Sequence, residues 1–205
     1  MRVSAIRCAI VALTLGTVLS FLPACQTNKA DDPASAASVN DTPASSAERG
    51  KYLVAIGSCN DCHTPFKLGE HGPEPDMSRM LSGHPDFAKL PPAPAPHGPW
   101  IWSGSATNTA FHGPWGTTYA INLTPDVNTG LGIWTEQMFV KAMRTGKHFG
   151  EARPIMPPMP WQGLGNMTDG DLKSVYAYLR TIPAVKNLVP DYQPPGADAA
   201  PTARH

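Results

Sequence analysis

Five consecutive residues, Cys59-Asn60-Asp61-Cys62-His63, restrict what this chain can fold around. Thiols three positions apart fall on one face of a helical turn. There each thiol can add across one vinyl group of a flat macrocycle, and the histidine that follows can aim its imidazole at a metal in the centre. The residues must be adjacent because one ring is grasped at two edges and at its middle. Cys-x-x-Cys-His is the attachment sequence of a c-type haem. Two other readings fit a bare Cys-x-x-Cys. A thioredoxin-like redox pair needs a strand–helix–strand setting, and no such pattern flanks residues 59–63. A zinc half-site needs a second Cys/His pair at finger spacing, and no cysteine follows Cys62. The residues therefore point to one haem c, held covalently by Cys59 and Cys62, with His63 as an axial ligand of its iron.

The other two cysteines belong to the N-terminus. Arg2 and Arg7 precede an apolar run from Ala9 to Leu22, broken by Thr14, Gly16, Thr17 and Ser20. That is the pattern of an export signal, too short for a comfortable membrane span. Leu22-Pro23-Ala24-Cys25 resembles the lipobox of bacterial lipoproteins. The resemblance implies cleavage before Cys25 and diacylglycerol on its thiol; ordinary cleavage near Ala24 is the alternative. Several acyl chains together anchor stably where one does not. The expected division is a signal peptide over 1–24, a lipidated Cys25, a tether over 25–45, a folded domain over 46–190 and a flexible tail over 191–205. The tether is rich in Ala, Ser, Asp and Pro and cannot bury a core. Such a chain is exported to the periplasm or cell envelope and held to a lipid bilayer by its N-terminus. Cleavage before Cys25 removes two arginines and no acid, taking the net charge from 0 to −2. Basic and acidic residues are interspersed, so nucleic acid is not an expected partner.

Three helices can be read from pattern. Ser45 or Ser46 can cap a helix from Ala47 to Ile56, with Tyr52, Leu53 and Ile56 inward and Val54 flanking. Gly50 in its interior costs about 1 kcal/mol relative to Ala, and close approach by another helix is one reason to tolerate it. Thr135 caps a second helix with Phe139, Val140 and Met143 inward, stopped by Gly146. Thr168 and Asp171 form a capping box for a third, with Leu172, Val175, Tyr176 and Leu179 on one face, Arg180 in the last turn and Pro183 beyond. Residues 66–118 show no sustained period. Ten of the chain's 23 prolines lie between Pro65 and Pro114, which argues for rigid irregular loops over sheet. The expectation is a cover over the haem edge pinned by Trp100, Trp102, Phe111 and Trp115, with a tight turn in Phe111–Gly116; a docking surface is the alternative. A second axial ligand is sought in Arg153-Pro154-Ile155-Met156-Pro157-Pro158-Met159-Pro160. Met156 and Met159 both precede proline, and a thioether suits a histidine-ligated electron-transfer haem. His71, His84, His97, His112 and His148 read as loop residues, and His205 is terminal.

The Arg-Gly-x-Tyr-Leu-Val run before Cys59–His63, followed by Thr64-Pro65, resembles the first helix of class I cytochrome c domains. Asn122-Leu123-Thr124-Pro125-Asp126 and Thr129–Trp134 resemble the segment before the middle helix in cytochrome c subunits of membrane-bound alcohol and gluconate dehydrogenases. The resemblance spans about residues 47–190. It implies a mostly α, compact class I fold, with N- and C-terminal helices packed together and long Pro/Gly-rich loops around the haem. It implies a methionine ligand about eight residues before the Met167-Thr168-Asp169 motif, which selects Met159, with Met156 the alternative. It implies a proline carbonyl about a dozen residues after His63 as acceptor of the imidazole proton, which Pro75 would supply. The function implied is single-electron transfer, not catalysis, between a dehydrogenase donor and a respiratory acceptor. The other readings are the cytochrome subunit of one oxidoreductase complex, a haem enzyme or sensor with an open sixth site, and a haem-free thiol oxidoreductase.

Overall fold

The computed structural model describes residues 42–94 and 98–196. The expected export signal, Cys25 and nearly all of the tether lie outside these residues, as do His97 and His205. Among the described residues no helix is long and apolar enough to cross a membrane. Five helices are present there: α1 Pro43–Ile56, α2 Cys59–His63, α3 Glu136–Thr145, α4 Trp161–Leu164 and α5 Asp169–Leu179. The strands are β1 Phe66–Gly69, β2 Gly72–Pro75, β3 Ser103–Gly104, β4 Ala110–Gly113 and β5 Gly116–Tyr119. Helix exceeds strand, about 35% against 14%, and the remainder is turn and loop.

Helix α1 starts earlier than its sequence suggests. Thr42 caps it, its hydroxyl accepting the Ser45 amide at 3.2 Å, and Pro43 occupies the first turn. Proline loses nothing there, because amides of the first turn have no helical acceptor. The Thr-Pro pair therefore outcompetes Ser45 and Ser46, and the last residues assigned to the tether are helical.

Gly50 decides which face of α1 is buried. A Cβ at this position would stand 1.9 Å from the Ser174 carbonyl oxygen and 2.8 Å from Tyr178 Cβ, so α5 lies against bare backbone. Residues three and four further on share that face, and Leu53 and Val54 are buried there. Tyr52 and Ile56, expected inward, fall outside it and are 55% and 59% exposed. The Arg49 guanidinium lies over the Tyr52 ring and pairs with Asp171 at 3.0 Å.

Helices α3 and α5 follow their sequence signals. The Thr135 and Thr168 hydroxyls accept the Met138 and Asp171 amides, both at 3.1 Å, and Gly146 ends α3 in the left-handed region at φ 65°. Phe139, Met143, Leu172, Val175 and Leu179 are buried. Tyr176 is half-buried and donates its hydroxyl to the Trp134 carbonyl. Arg180 donates to the Leu131 and Gly132 carbonyls at 3.1 and 3.2 Å, fastening α5 to the loop before α3.

The stretch 66–118 is not structureless. β1 and β2 form an antiparallel hairpin, and β3, β4 and β5 form an antiparallel sheet in that order. These strands have four residues or fewer, and the alternation that betrays a strand needs at least that length to register. Gly113 pairs with Gly116 across Pro114-Trp115, the expected tight turn. Phe111 is buried, with Trp102 edge-on at 5.9 Å, whereas Trp100 is 77% exposed. The C-terminal boundary also moves. Thr117 and Gln193 exchange backbone hydrogen bonds at 2.8 and 2.9 Å, and Tyr192 donates to the Trp115 carbonyl. The tail expected from residue 191 is thus tied down through Gln193.

Candidate functional site

The Cys-x-x-Cys-His residues form α2, a single turn entered through Ser58 in the left-handed region at φ 54°. A helix precedes this turn and β1 follows it, so the strand–helix–strand setting of a thioredoxin-like pair is absent. Several bonds fix the turn. The fully buried Thr64 hydroxyl donates to Asn60 Oδ1 and accepts the Leu81 amide, both at 2.8 Å. Asn108 Nδ2 donates to the Asp61 carbonyl at 2.7 Å. The Gly83 amide donates to the His63 carbonyl at 2.7 Å.

The His63 ring is 7% exposed. Its Nδ1–H donates to the Ile121 carbonyl at 2.8 Å. Burial lowers its pKa, outweighing the opposing pull of that carbonyl, and keeps the ring neutral. A neutral imidazole protonated at Nδ1 carries its lone pair at Nε2. A metal-ligating histidine is held in this way, its other ring N–H given to a fixed acceptor. The acceptor is not Pro75, which pairs with Phe66 in the hairpin. Ile121 comes from a distant segment, 120–123, joined to 81–84 by hydrogen bonds from His84 to Ala120 and from Leu123 to Leu81, both 2.9 Å.

Burial pushes the Cys59 thiol up to about 11, and burial with the nearby Asp61 charge raises Cys62. A redox-active Cys-x-x-Cys needs the opposite, a lowered thiol. Both cysteines are free. No cluster of three His, Cys, Asp or Glu donors forms among the described residues, so the zinc reading finds no second half there. Two protonated thiols on one turn, beside a neutral histidine whose Nδ1 is already engaged, fit a haem c. Arg79 Nε, Ser82 Oγ and Trp115 Nε1 are buried without a protein partner. Such donors can be satisfied by the polar edge of a bound group.

Met156 and Met159 are both half-buried. Met159, like Cys59, Leu164 and Met167, packs against the main core that includes Leu53, Trp134 and Leu172; Met156 does not join that packing. The loop is anchored to the end of α3 by the Ile155 amide on the Gly146 carbonyl at 2.8 Å. A Cβ on Gly146 would stand 2.4 Å from the Trp161 indole, so α4, which begins two residues after Met159, rests on that glycine. A Cβ on Gly57 would meet Cys59 Sγ at 3.8 Å and Leu164 Cδ2 at 4.0 Å, which places α4 beside the first thiol. Among the other histidines, His71 is exposed. His84 is fully buried between Thr109 Oγ1 at 2.9 Å and the Ala88 carbonyl at 3.2 Å, and is no loose loop residue. His112 bonds Thr117 at 2.8 Å. Residue spacing in the sequence points to both thiols and His63 and gives no sign of the structural parts played by Ile121, Gly83 and Thr64. The first two act through backbone atoms, which leave no side-chain signal.

No family model matches the chain. Curated proteins do, and the chain is similar to cytochrome c subunits of bacterial dehydrogenases. It is 31% identical over 144 residues, 68% of its length, to the fructose dehydrogenase cytochrome subunit of Gluconobacter japonicus. It is 31% identical over 170 residues, 83% of its length, to the gluconate 2-dehydrogenase cytochrome c subunit of Pantoea cypripedii. It is 29% identical over 161 residues, 78% of its length, to a nicotinate dehydrogenase subunit of Pseudomonas putida. The matches span 23%, 27% and 11% of those proteins, so the chain covers about a quarter of their length or less.

Proposed function

We propose that this domain binds one haem c covalently and passes single electrons in the periplasm or cell envelope. The observation that carries this reading is the His63 ring, buried, neutral and donating Nδ1–H to the Ile121 carbonyl, directly after two thiols on one turn. Each thiol adds its sulfur to one vinyl carbon and its hydrogen to the other, so attachment consumes no oxidant. A haem held in this way supplies a one-electron ferrous/ferric couple. His63 Nε2 and the Met159 sulfur, with Met156 as the alternative, would hold the iron. Two protein ligands leave no open position for a substrate, which makes the domain a carrier and not a catalyst. The crossing of α1 and α5 at Gly50 supports the class I arrangement of terminal helices. The N-terminal signal and a lipid on Cys25 supply the anchor to a bilayer.

A second reading, the cytochrome subunit of one particular oxidoreductase complex, is favoured by the relatives, whose names make them subunits of dehydrogenases. Under either reading the electron donor is a dehydrogenase. Haem retention tests the common core. The exported protein is expected to keep haem after denaturation, and the Cys59→Ala, Cys62→Ala double variant to lose it. Extraction of haem from the denatured parent would reject covalent attachment.

A further inference from the structure

We infer that Asn187, together with Asn122, is a positioning residue for the axial imidazole: the pair holds in place the two backbone segments that grip His63. The inference rests on His63 being an iron ligand.

The grip has two halves. The Gly83 amide holds the His63 carbonyl and the Ile121 carbonyl holds its ring nitrogen. The segments behind them, 81–84 and 120–123, are neither helix nor strand, so no regular ladder sets their spacing. Asn187 is fully buried. Its Nδ2 donates to the Ser82 and His84 carbonyls at 2.7 and 2.8 Å, one residue to either side of Gly83. Its Oδ1 accepts Arg79 Nη2 at 2.9 Å and the Asp86 amide at 3.0 Å. A carboxamide has two donor hydrogens and two acceptor lone pairs, and all four are used. Asn122 follows Ile121 directly and is 2% exposed. Its Nδ2 donates to the Val185 carbonyl at 2.7 Å and to Thr129 Oγ1 at 3.2 Å, while its Oδ1 accepts the Thr124 amide at 2.9 Å and hydroxyl at 2.7 Å. The Asn187 amide donates to the same Thr129 hydroxyl at 3.0 Å. The stretch from Val185 to Asn187 is thus a strut bonded to both halves of the grip.

A buried carboxamide with all its donors and acceptors engaged, as in Asn187 and Asn122, holds one geometry. Here that geometry is the alignment of Ile121 O with His63 Nδ1–H. The acceptor raises the basicity of the ligating imidazole, and a more basic ligand favours the ferric state. Loosening the strut weakens the hydrogen bond and favours the ferrous state.

The test compares the haem-loaded parent with Asn187→Asp, Asn187→Ala and Asn122→Ser. Asn187→Asp keeps the acceptor oxygen and loses both donors. Leu172→Ala, in the α5 core, is the control for plain destabilisation. Covalent haem content, thermal midpoint, equilibrium reduction potential and the ferric electron paramagnetic spectrum are read for each. The strut variants are expected to keep haem, to change the anisotropy of the ferric spectrum and to raise the ferrous-to-ferric ratio at fixed applied potential about tenfold, equivalent to about 59 mV for one electron. Leu172→Ala should lower the thermal midpoint and leave potential and spectrum unchanged. If the strut variants behave like Leu172→Ala, the positioning role is wrong. If one strut variant does not fold, the other two decide. If His63→Ala retains the parent's spectrum, the axial assignment itself is wrong, a failure separable from the first.

Discussion

His63 meets its partners through one ring nitrogen and one carbonyl, and with less than a tenth of its surface exposed the ring stays uncharged. Other histidines are neutral for the same reason with a measurable consequence. Burial and the Arg153 charge hold His148 at about 4, against an ordinary value of 6.5. Between these values the unfolded chain binds more protons than the folded one, so stability falls as pH drops from 6.5 towards 4. His84, lowered by burial, acts in the same direction. A pH series of thermal midpoints is expected to show this acid-side loss, smaller in His148→Gln; an identical series in the variant would contradict it. At this scale the sequence was legible where chemistry lies in side chains at fixed spacing, as in Cys59, Cys62 and His63. It was opaque where the partner is a carbonyl 58 residues away, as with Ile121.

Gly50 is the element-scale counterpart. Helix propensity alone makes Gly50→Ala stabilising by about 1 kcal/mol. The α1–α5 crossing makes it strongly destabilising, because the added carbon would meet the Ser174 carbonyl at 1.9 Å. We expect a loss of about 3 kcal/mol or more in denaturant unfolding, at the upper end of overpacking costs. A neutral or stabilised variant would show that the helices do not meet there. Caps and stops were readable because Thr135, Gly146 and Thr168 act locally. Apolar residues alone do not mark the buried face of α1: the bare backbone of Gly50 and its partner helix set that face and leave Tyr52 and Ile56 outside. The five short strands escaped because none exceeds four residues, too few for an alternating pattern to stand out.

Over the whole molecule, the Cys-x-x-Cys-His turn is held by segments far apart in the chain, and its C-terminal support is folded well past the last helix. Ending the chain at Pro183 removes Val185, Asn187 and Gln193 and their bonds to Asn122, Ser82, His84 and Thr117. Haem-loaded protein should then fail to accumulate, whereas ending at Gly196 should leave yield and thermal midpoint unchanged; equal yields would contradict this. Ligation of the haem iron by His63 and Met159 is tested most directly by the ferric absorption spectrum of the exported protein. A weak long-wavelength band from methionine sulfur to iron is expected in the parent and in Met156→Ala, and absent in Met159→Ala. A parent without that band, or a Met159→Ala that keeps it, would rule out Met159 as the ligand.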